Sequence, residues 1–178
     1  MEANEIISIA GKILTLLDNN EKRDAYIESI KGQMRHSSGA DITDNPELYG
    51  FILSKIPEEH RRNEKLINSI YTVLSFYAKC GSQNKGMSLG AAVKAAEDSE
   101  GGSTGPRNKM TKVETARTFK NMSNNLRSLC IYLSNKGCTP DLSILIKDIY
   151  YWDFNQDKKR DTIIKWEQDY VKTTETEE

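Results

Sequence analysis

From Val113 to Val171 the apolar residues recur at three- and four-residue spacing, and this recurrence limits the fold more than any other feature of the chain. Leu126, Leu129, Cys130 and Leu133 share one helical face; Leu142, Leu145, Ile146, Ile149 and Tyr150 share a second; Ile163, Trp166 and Tyr170 form a third. Stripes of this kind are buried by packing helix on helix. Thr111 with Glu114 predicts a capping box, Gly137 a helix stop, and Pro140 the first position of the next helix.

The preceding residues carry the same pattern. Ile6, Ile9, Ile13 and Leu17 predict an opening helix ending at Asp18-Asn19-Asn20, and Tyr26, Ile27, Ile30 and Met34 predict a second. After a loop rich in Ser, Gly and Asp, Asn45-Pro46 starts a helix bearing Leu48, Tyr49, Ile52, Leu53 and Ile56, which Pro57 halts. A helix from about Asn63 carries Leu66, Ile67, Ile70, Val73, Leu74 and Tyr77 and ends at Gly81. Ser88 is the expected cap of an Ala-rich helix with Leu89, Ala92, Val93 and Ala96 facing inward.

No segment alternates apolar and polar residues as a strand does, so the expected fold is all-α: a two-lobed helical bundle of about eight helices. A length of 178 residues suits one substantial core, and a single domain spanning residues 1–178 is expected. Residues 99–109, SEGGSTGPRNK, predict a mobile exposed loop, and the acidic 173–178, TTETEE, a disordered tail.

Several chemistries are excluded. No apolar run approaches the roughly 20 residues that span a bilayer. The amino terminus sets acids before its apolar residues, unlike a secretory signal, so a cytoplasmic protein without a membrane partner is expected. Cys80, Cys130 and Cys138 are an odd set without metal-type pairing, which predicts buried free thiols. His36 and His60 have no partner at i+3 or i+4, and the carboxylates are scattered among lysines, so neither a metal site nor a metal-dependent nuclease is expected. The Gly-rich segment lacks the Gly-x-x-x-x-Gly-Lys-Ser/Thr pattern of a nucleotide loop, and no cofactor is expected.

Gly86-Met87-Ser88-Leu89-Gly90 matches the Gly-x-Ser-x-Gly pattern of a hydrolase nucleophile, but that device needs a preceding strand and a histidine after the serine. Both histidines precede Ser88. The glycines also suit a close-packed helix entry, and a helix N-terminus beside Lys85 suits a phosphate oxygen; both readings stand.

A formal net charge of -1 argues against indiscriminate nucleic-acid binding, but the charge is unevenly spread. Between Arg107 and Lys136, seven basic residues face Glu114 alone, a local charge of +6 that leaves -7 on the remainder. Phosphate contacts need only such Lys and Arg spaced along a surface, and Arg117 and Lys120 are expected three apart on one helix. A solvated helix face has the same composition. Phe119, Tyr132, Tyr150, Trp152 and Trp166 fit core positions better than base-stacking platforms.

Met34-Arg35, Pro46-Glu47-Leu48-Tyr49, Gly86 to Gly90, Arg117-Thr118-Phe119, a leucine-rich helix, Pro140-Asp141-Leu142, Tyr151-Trp152 and the Trp166 helix follow one another at particular spacings. From about Lys31 to Val171 this order resembles the CasB family, the small subunit of the type I-E CRISPR Cascade surveillance complex. The resemblance implies a non-catalytic, two-lobed helical subunit that pairs with a second copy of itself and touches other Cascade subunits. It implies sequence-independent backbone contacts to guide RNA and target DNA, made by Lys and Arg, that stabilise the R-loop and its displaced strand. Carried over by position, the family's basic segments fall on Arg35, Lys85, Lys94, Arg117, Lys120 and Arg127; charge alone adds Arg107, Lys109 and Lys112. Thr115, Ala116, Thr118 and Asn121 thin the family's arginine-rich run, and its early Trp is absent. The alternative is a helical protein-protein interaction adaptor without nucleic-acid binding, in which charge reversal at Arg117 and Lys120 is silent.

Overall fold

The structure, a computed structural model, describes residues 1–18, 25–36, 42, 45–80 and 82–172. Among these, nine α-helices follow one another: α1 (Ala3–Asp18), α2 (Ala25–His36), α3 (Pro46–Lys55), α4 (Glu64–Tyr77), α5 (Leu89–Ser99), α6 (Gly105–Glu114), α7 (Phe119–Asn135), α8 (Leu142–Trp152) and α9 (Gln156–Lys172). A 3-10 turn, Glu58–His60, immediately precedes α4. No described residue is in a strand. The loop expected before Asn45, the Gly81 stop and the acidic tail lie wholly or largely outside the described residues.

Caps explain most of the boundaries. The Asn45 side chain accepts from Leu48 N with Pro46 at the first helical position, Asn63 accepts from Leu66 N, and Ser88 accepts from Ala91 N. Three expected boundaries move. Thr111 is not a cap: it lies inside α6, where its hydroxyl donates to Arg107 O, and the cap is Thr118, which accepts from Asn121 N. Pro140 precedes the cap of α8, which is Asp141, because an Asp carboxylate can take the Ser143 and Ile144 amides and a proline ring cannot. The segment 99–109 is irregular only up to Thr104; Pro106 occupies the first turn of α6 and its ring is buried. That extra helix raises the count from eight to nine.

The helices form two groups: α2, α3 and α4 pack on one another, as do α5, α6, α7 and α9, while α8 contacts α1, α4 and α9 and α4 contacts α7. One contiguous cluster of buried apolar side chains runs through both groups, from Ile6 to Trp166. The predicted stripes form most of it. Tyr26 and Tyr49 depart from expectation, being 52% and 36% exposed, because α2 turns Ile27, Ile30 and Met34 inward and α3 turns Leu48, Phe51 and Ile52 inward. Tyr150, Trp152 and Trp166 are buried, as expected of core aromatics. All three cysteines are free thiols; Cys130 and Cys138 are buried and Cys80 is half-buried. Burial pushes the Cys80 thiol up to about 11.

The glycine motif ties the middle of the chain to its carboxy-terminal helices. Gly86 has φ +79° and its amide donates to Asp141 Oδ2 at 2.9 Å; Asp141 N in turn donates to Met87 O at 2.8 Å. At Gly90 the backbone of α9 passes so close that a Cβ would lie 1.9 Å from Trp166 O. Ser88 Oγ caps α5 after a turn, with no strand before it, so the motif is a helix entry and packing device rather than a nucleophile turn. Replacing Asp141 by Ala removes acceptors for the Gly86, Ser143 and Ile144 amides at once. A loss of roughly 2 kcal/mol in urea unfolding is expected, against a few tenths if the carboxylate were only a solvated cap.

Candidate nucleic-acid interface

The nine expected basic residues divide by what their own fold does with them. Lys94 Nζ is 2.7 Å from Asp98 Oδ1, one turn along α5. Arg107 lies between Glu114, at 3.4 Å, and Glu167, and its guanidinium is 5.1 Å from the centre of the Tyr170 ring. Lys109 sits 5.3 Å over the Tyr132 ring. Arg127 is half-buried and engaged within the fold. By contrast Arg35, Lys85, Lys112, Arg117 and Lys120 are exposed, and their side chains have no partner among the described residues.

The Arg107 cluster is a clamp between α6 and α9, extended to α5 by the Tyr170 hydroxyl, which donates to Glu97. Glu114 is the buried member. Burial pushes its carboxyl up to about 7 from an ordinary 4.5; the Arg107 guanidinium opposes that shift and the Glu167 carboxylate adds to it. A carboxyl whose folded-state pKa lies above its unfolded value costs stability once ionised, so the cost is absent below about 4.5 and complete above about 7. Glu114→Gln is therefore expected to stabilise the fold at pH 8 by roughly 1 to 2 kcal/mol and to change nothing below about pH 4. Urea midpoints at the two pH values test this; a decrease at pH 8 would show that the Arg107 ion pair outweighs desolvation.

The five open cations gather in two places. Arg35, near the end of α2, and Lys85, in the turn before α5, line a cleft of about 490 Å³ together with Lys31, Tyr77, Gln83 and Leu142. Its single lining carboxylate, Asp18, accepts a hydrogen bond from the Tyr77 hydroxyl, and Lys31 is paired with Glu28 at 3.2 Å, so Arg35 and Lys85 are its open cations. Lys31 is not among the residues that sequence singles out; its i, i+4 spacing from Arg35 puts both on one face of α2 and is the signal that could have found it.

The second place is the junction of α6 and α7. Lys112 and Arg117 line a concavity of about 470 Å³ whose other walls are Thr115, Ala116, Asn121, Asn124 and Asn125. No carboxylate lines it. Thr118 caps α7 directly after Arg117, so the two cations do not share a helix as expected: Lys120 is in the first turn of α7 and Arg117 in the bend before it. Lys159 approaches from α9, its ammonium donating to Ala116 O at 2.7 Å and lying 4.0 Å from the Trp152 ring centre. The asparagines were not expected as site residues, since polar uncharged side chains on a helix carry no periodic signal.

Chemically these are concavities of moderate size whose walls carry more cations than carboxylates. Among the described residues no group of His, Cys, Asp and Glu could hold a metal ion, and no helix is long and apolar enough to cross a membrane.

No curated protein sequence matches the chain. Solved structures share its fold. A chain of a CRISPR RNA-guided surveillance complex is similar at a TM-score of 0.70 and 18% identity, over 98% of this chain and 95% of that one. A chain of such a complex described as pre-nicking is similar at 0.69 and 18%, over 98% and 96%. CasB from Thermobifida fusca is similar at 0.62 and 18%, over 94% and 96%. The sequence profile of CRISPR-associated protein Cse2 matches residues 31–170, the stretch that holds both basic clusters and the glycine motif. With that match over most of its length, the chain belongs to the CRISPR-associated Cse2 family.

Proposed function

We propose that this protein is a non-catalytic small subunit of a type I-E CRISPR Cascade complex, and that it stabilises the R-loop by holding phosphates of the opened nucleic acid. The observation that carries the proposal is the pair of open basic clusters, Arg35 with Lys85 and Lys112 with Arg117 and Lys120. They are cations without an ion-pair partner among the described residues, while most of their basic neighbours are paired. The similarity to chains of RNA-guided surveillance complexes supports the same reading. Guide pairing reads the sequence, so the subunit contacts guide RNA and target DNA through their backbones.

The energetics suit modest contacts. Exchanging a DNA duplex for an RNA-DNA heteroduplex is nearly neutral, so a few phosphate contacts on the opened state decide how long it persists. A chain of net charge -1 binds weakly alone, and its affinity is supplied by the other Cascade subunits and a second copy of itself, which fix its position by raising effective concentration.

The test is R-loop lifetime on a guide complex reconstituted with and without the chain, across a salt series. The chain is expected to lengthen the lifetime. Arg117→Glu with Lys120→Glu, and separately Arg35→Glu with Lys85→Glu, are each expected to shorten it about tenfold without blocking assembly. The salt slope should fall by about 0.7 for each single-strand phosphate that is no longer held. If both double variants behave as wild type, the clusters are solvated surface and the chain acts as a protein adaptor.

A further inference from the structure

The α6–α7 concavity has a composition that phosphate binding alone does not require. A phosphate only accepts hydrogen bonds, so lysine and arginine satisfy it fully. Here Lys112 and Arg117 share the walls with three asparagines. One of them is structural: Asn125 Nδ2 donates to Lys112 O at 2.8 Å and ties α7 to α6. The other two, Asn121 and Asn124, are exposed, and their side-chain amides have no partner among the described residues. Each amide offers a donor and an acceptor side by side.

Paired donors and acceptors are what the edge of a nucleobase offers in return. The volume of about 470 Å³ falls in the range of small-ligand sites, well beyond what one phosphate occupies. A Watson–Crick edge meets an amide in such a concavity only when the base is unpaired and turned outward, as in single-strand recognition. Arg117 adds a planar guanidinium at the wall, a group on which bases stack.

We infer that the α6–α7 concavity is a subsite for one unpaired nucleotide, with its base edge on the Asn121 and Asn124 amides and its flanking phosphates on Lys112 and Arg117. The inference rests on the nucleic-acid reading above and goes beyond it, because it makes this cluster selective for single strands over duplex. It needs no particular base, since every base edge carries donors or acceptors.

The test measures binding of the full chain at low salt, by fluorescence anisotropy, to a labelled 15-residue thymidine strand, to an abasic strand of equal phosphate number, and to a duplex of that length. Wild type is expected to bind the thymidine strand about tenfold more tightly than either of the others. Asn121→Ala with Asn124→Ala should bring the thymidine strand down to the abasic value and leave the abasic value unchanged. Lys112→Ala with Arg117→Ala should weaken both and lower the salt slope by about 1.4. Equal binding of thymidine and abasic strands by wild type, an asparagine variant that weakens on both equally, or no binding to any of the three overturns the inference. The phosphate-clamp reading stands or falls separately, on the R-loop lifetimes of the charge-reversal variants in the assembled complex.

Discussion

Gly90→Ala is expected to unfold this protein more readily by about 3 kcal/mol or more, the upper end of what overpacking a core costs. The added methyl would lie 1.9 Å from Trp166 O and 2.9 Å from both Trp166 C and Tyr170 N, so it meets backbone rather than a side chain that can swing aside. Relief requires α5 and α9 to separate. Trp166 is fully buried and hydrogen-bonded to α8, so the separation disturbs a second helix pair as well. Gly50→Ala is the control. It sits exposed within α3 with nothing within 4 Å of its missing Cβ, and the same substitution there is expected to stabilise by roughly 0.5 to 1 kcal/mol. Opposite shifts of the two urea midpoints are the expected result; a wild-type midpoint for Gly90→Ala would contradict the closeness of α5 and α9.

Asp148→Ala is expected to cost about 3 to 5 kcal/mol, the range for breaking a buried ion pair by removing one partner. Asp148 is almost wholly buried; its Oδ2 accepts from Trp166 Nε1 at 2.9 Å and its Oδ1 lies 2.8 Å from Lys147 Nζ. Removal strands two groups. The indole N–H is left without its acceptor in the core, and the Lys147 side chain, 12% exposed, keeps a charge with its nearest counter-ion gone. Asp148→Asn retains an acceptor for the indole, so a smaller loss of about 1 to 2 kcal/mol follows. Adding Lys147→Met to Asp148→Ala should recover part of the stability, because it removes the stranded charge. Urea unfolding followed by tryptophan fluorescence measures all three; a change under about 1 kcal/mol for Asp148→Ala would mean that water reaches the pair.

These two residues differ in how visible they are in the sequence. Gly90 stands out as part of a five-residue motif, with close packing as one of its readings, and the structure assigns it that role. Asp148 is invisible: a carboxylate between Lys147 and Ile149 looks like any surface acid until α9 brings Trp166 against it, eighteen residues along.

The basic residues show the same division. Spacing, charge and resemblance propose nine of them together, and nothing local separates Arg107 from Arg117. The fold does. Glu167 lies sixty residues from Arg107 and reaches it only because α6 and α9 both pack on α5, whereas Arg117, in the turn before α7, faces asparagines and no acid. Lys31 and Arg35 join Lys85 across some fifty residues of chain, a meeting that depends on where α2 ends relative to the turn before α5.

The sequence by itself determined the class of fold, most of the helices, the cap at Ser88, the stop at Gly137 and the family. All of these rest on relations within a few residues of one another, or on a succession of short motifs. It misjudged the start of α6, which no side-chain cap marks, and the caps of α7 and α8, where Thr118 and Asp141 rather than Thr111 and the residue before Pro140 accept the first amides. Only the tertiary structure decided which cations are open and which are held, and which uncharged side chains share their concavities. An ion pair or a cavity wall is set by residues distant in sequence, and no periodicity records that neighbourhood.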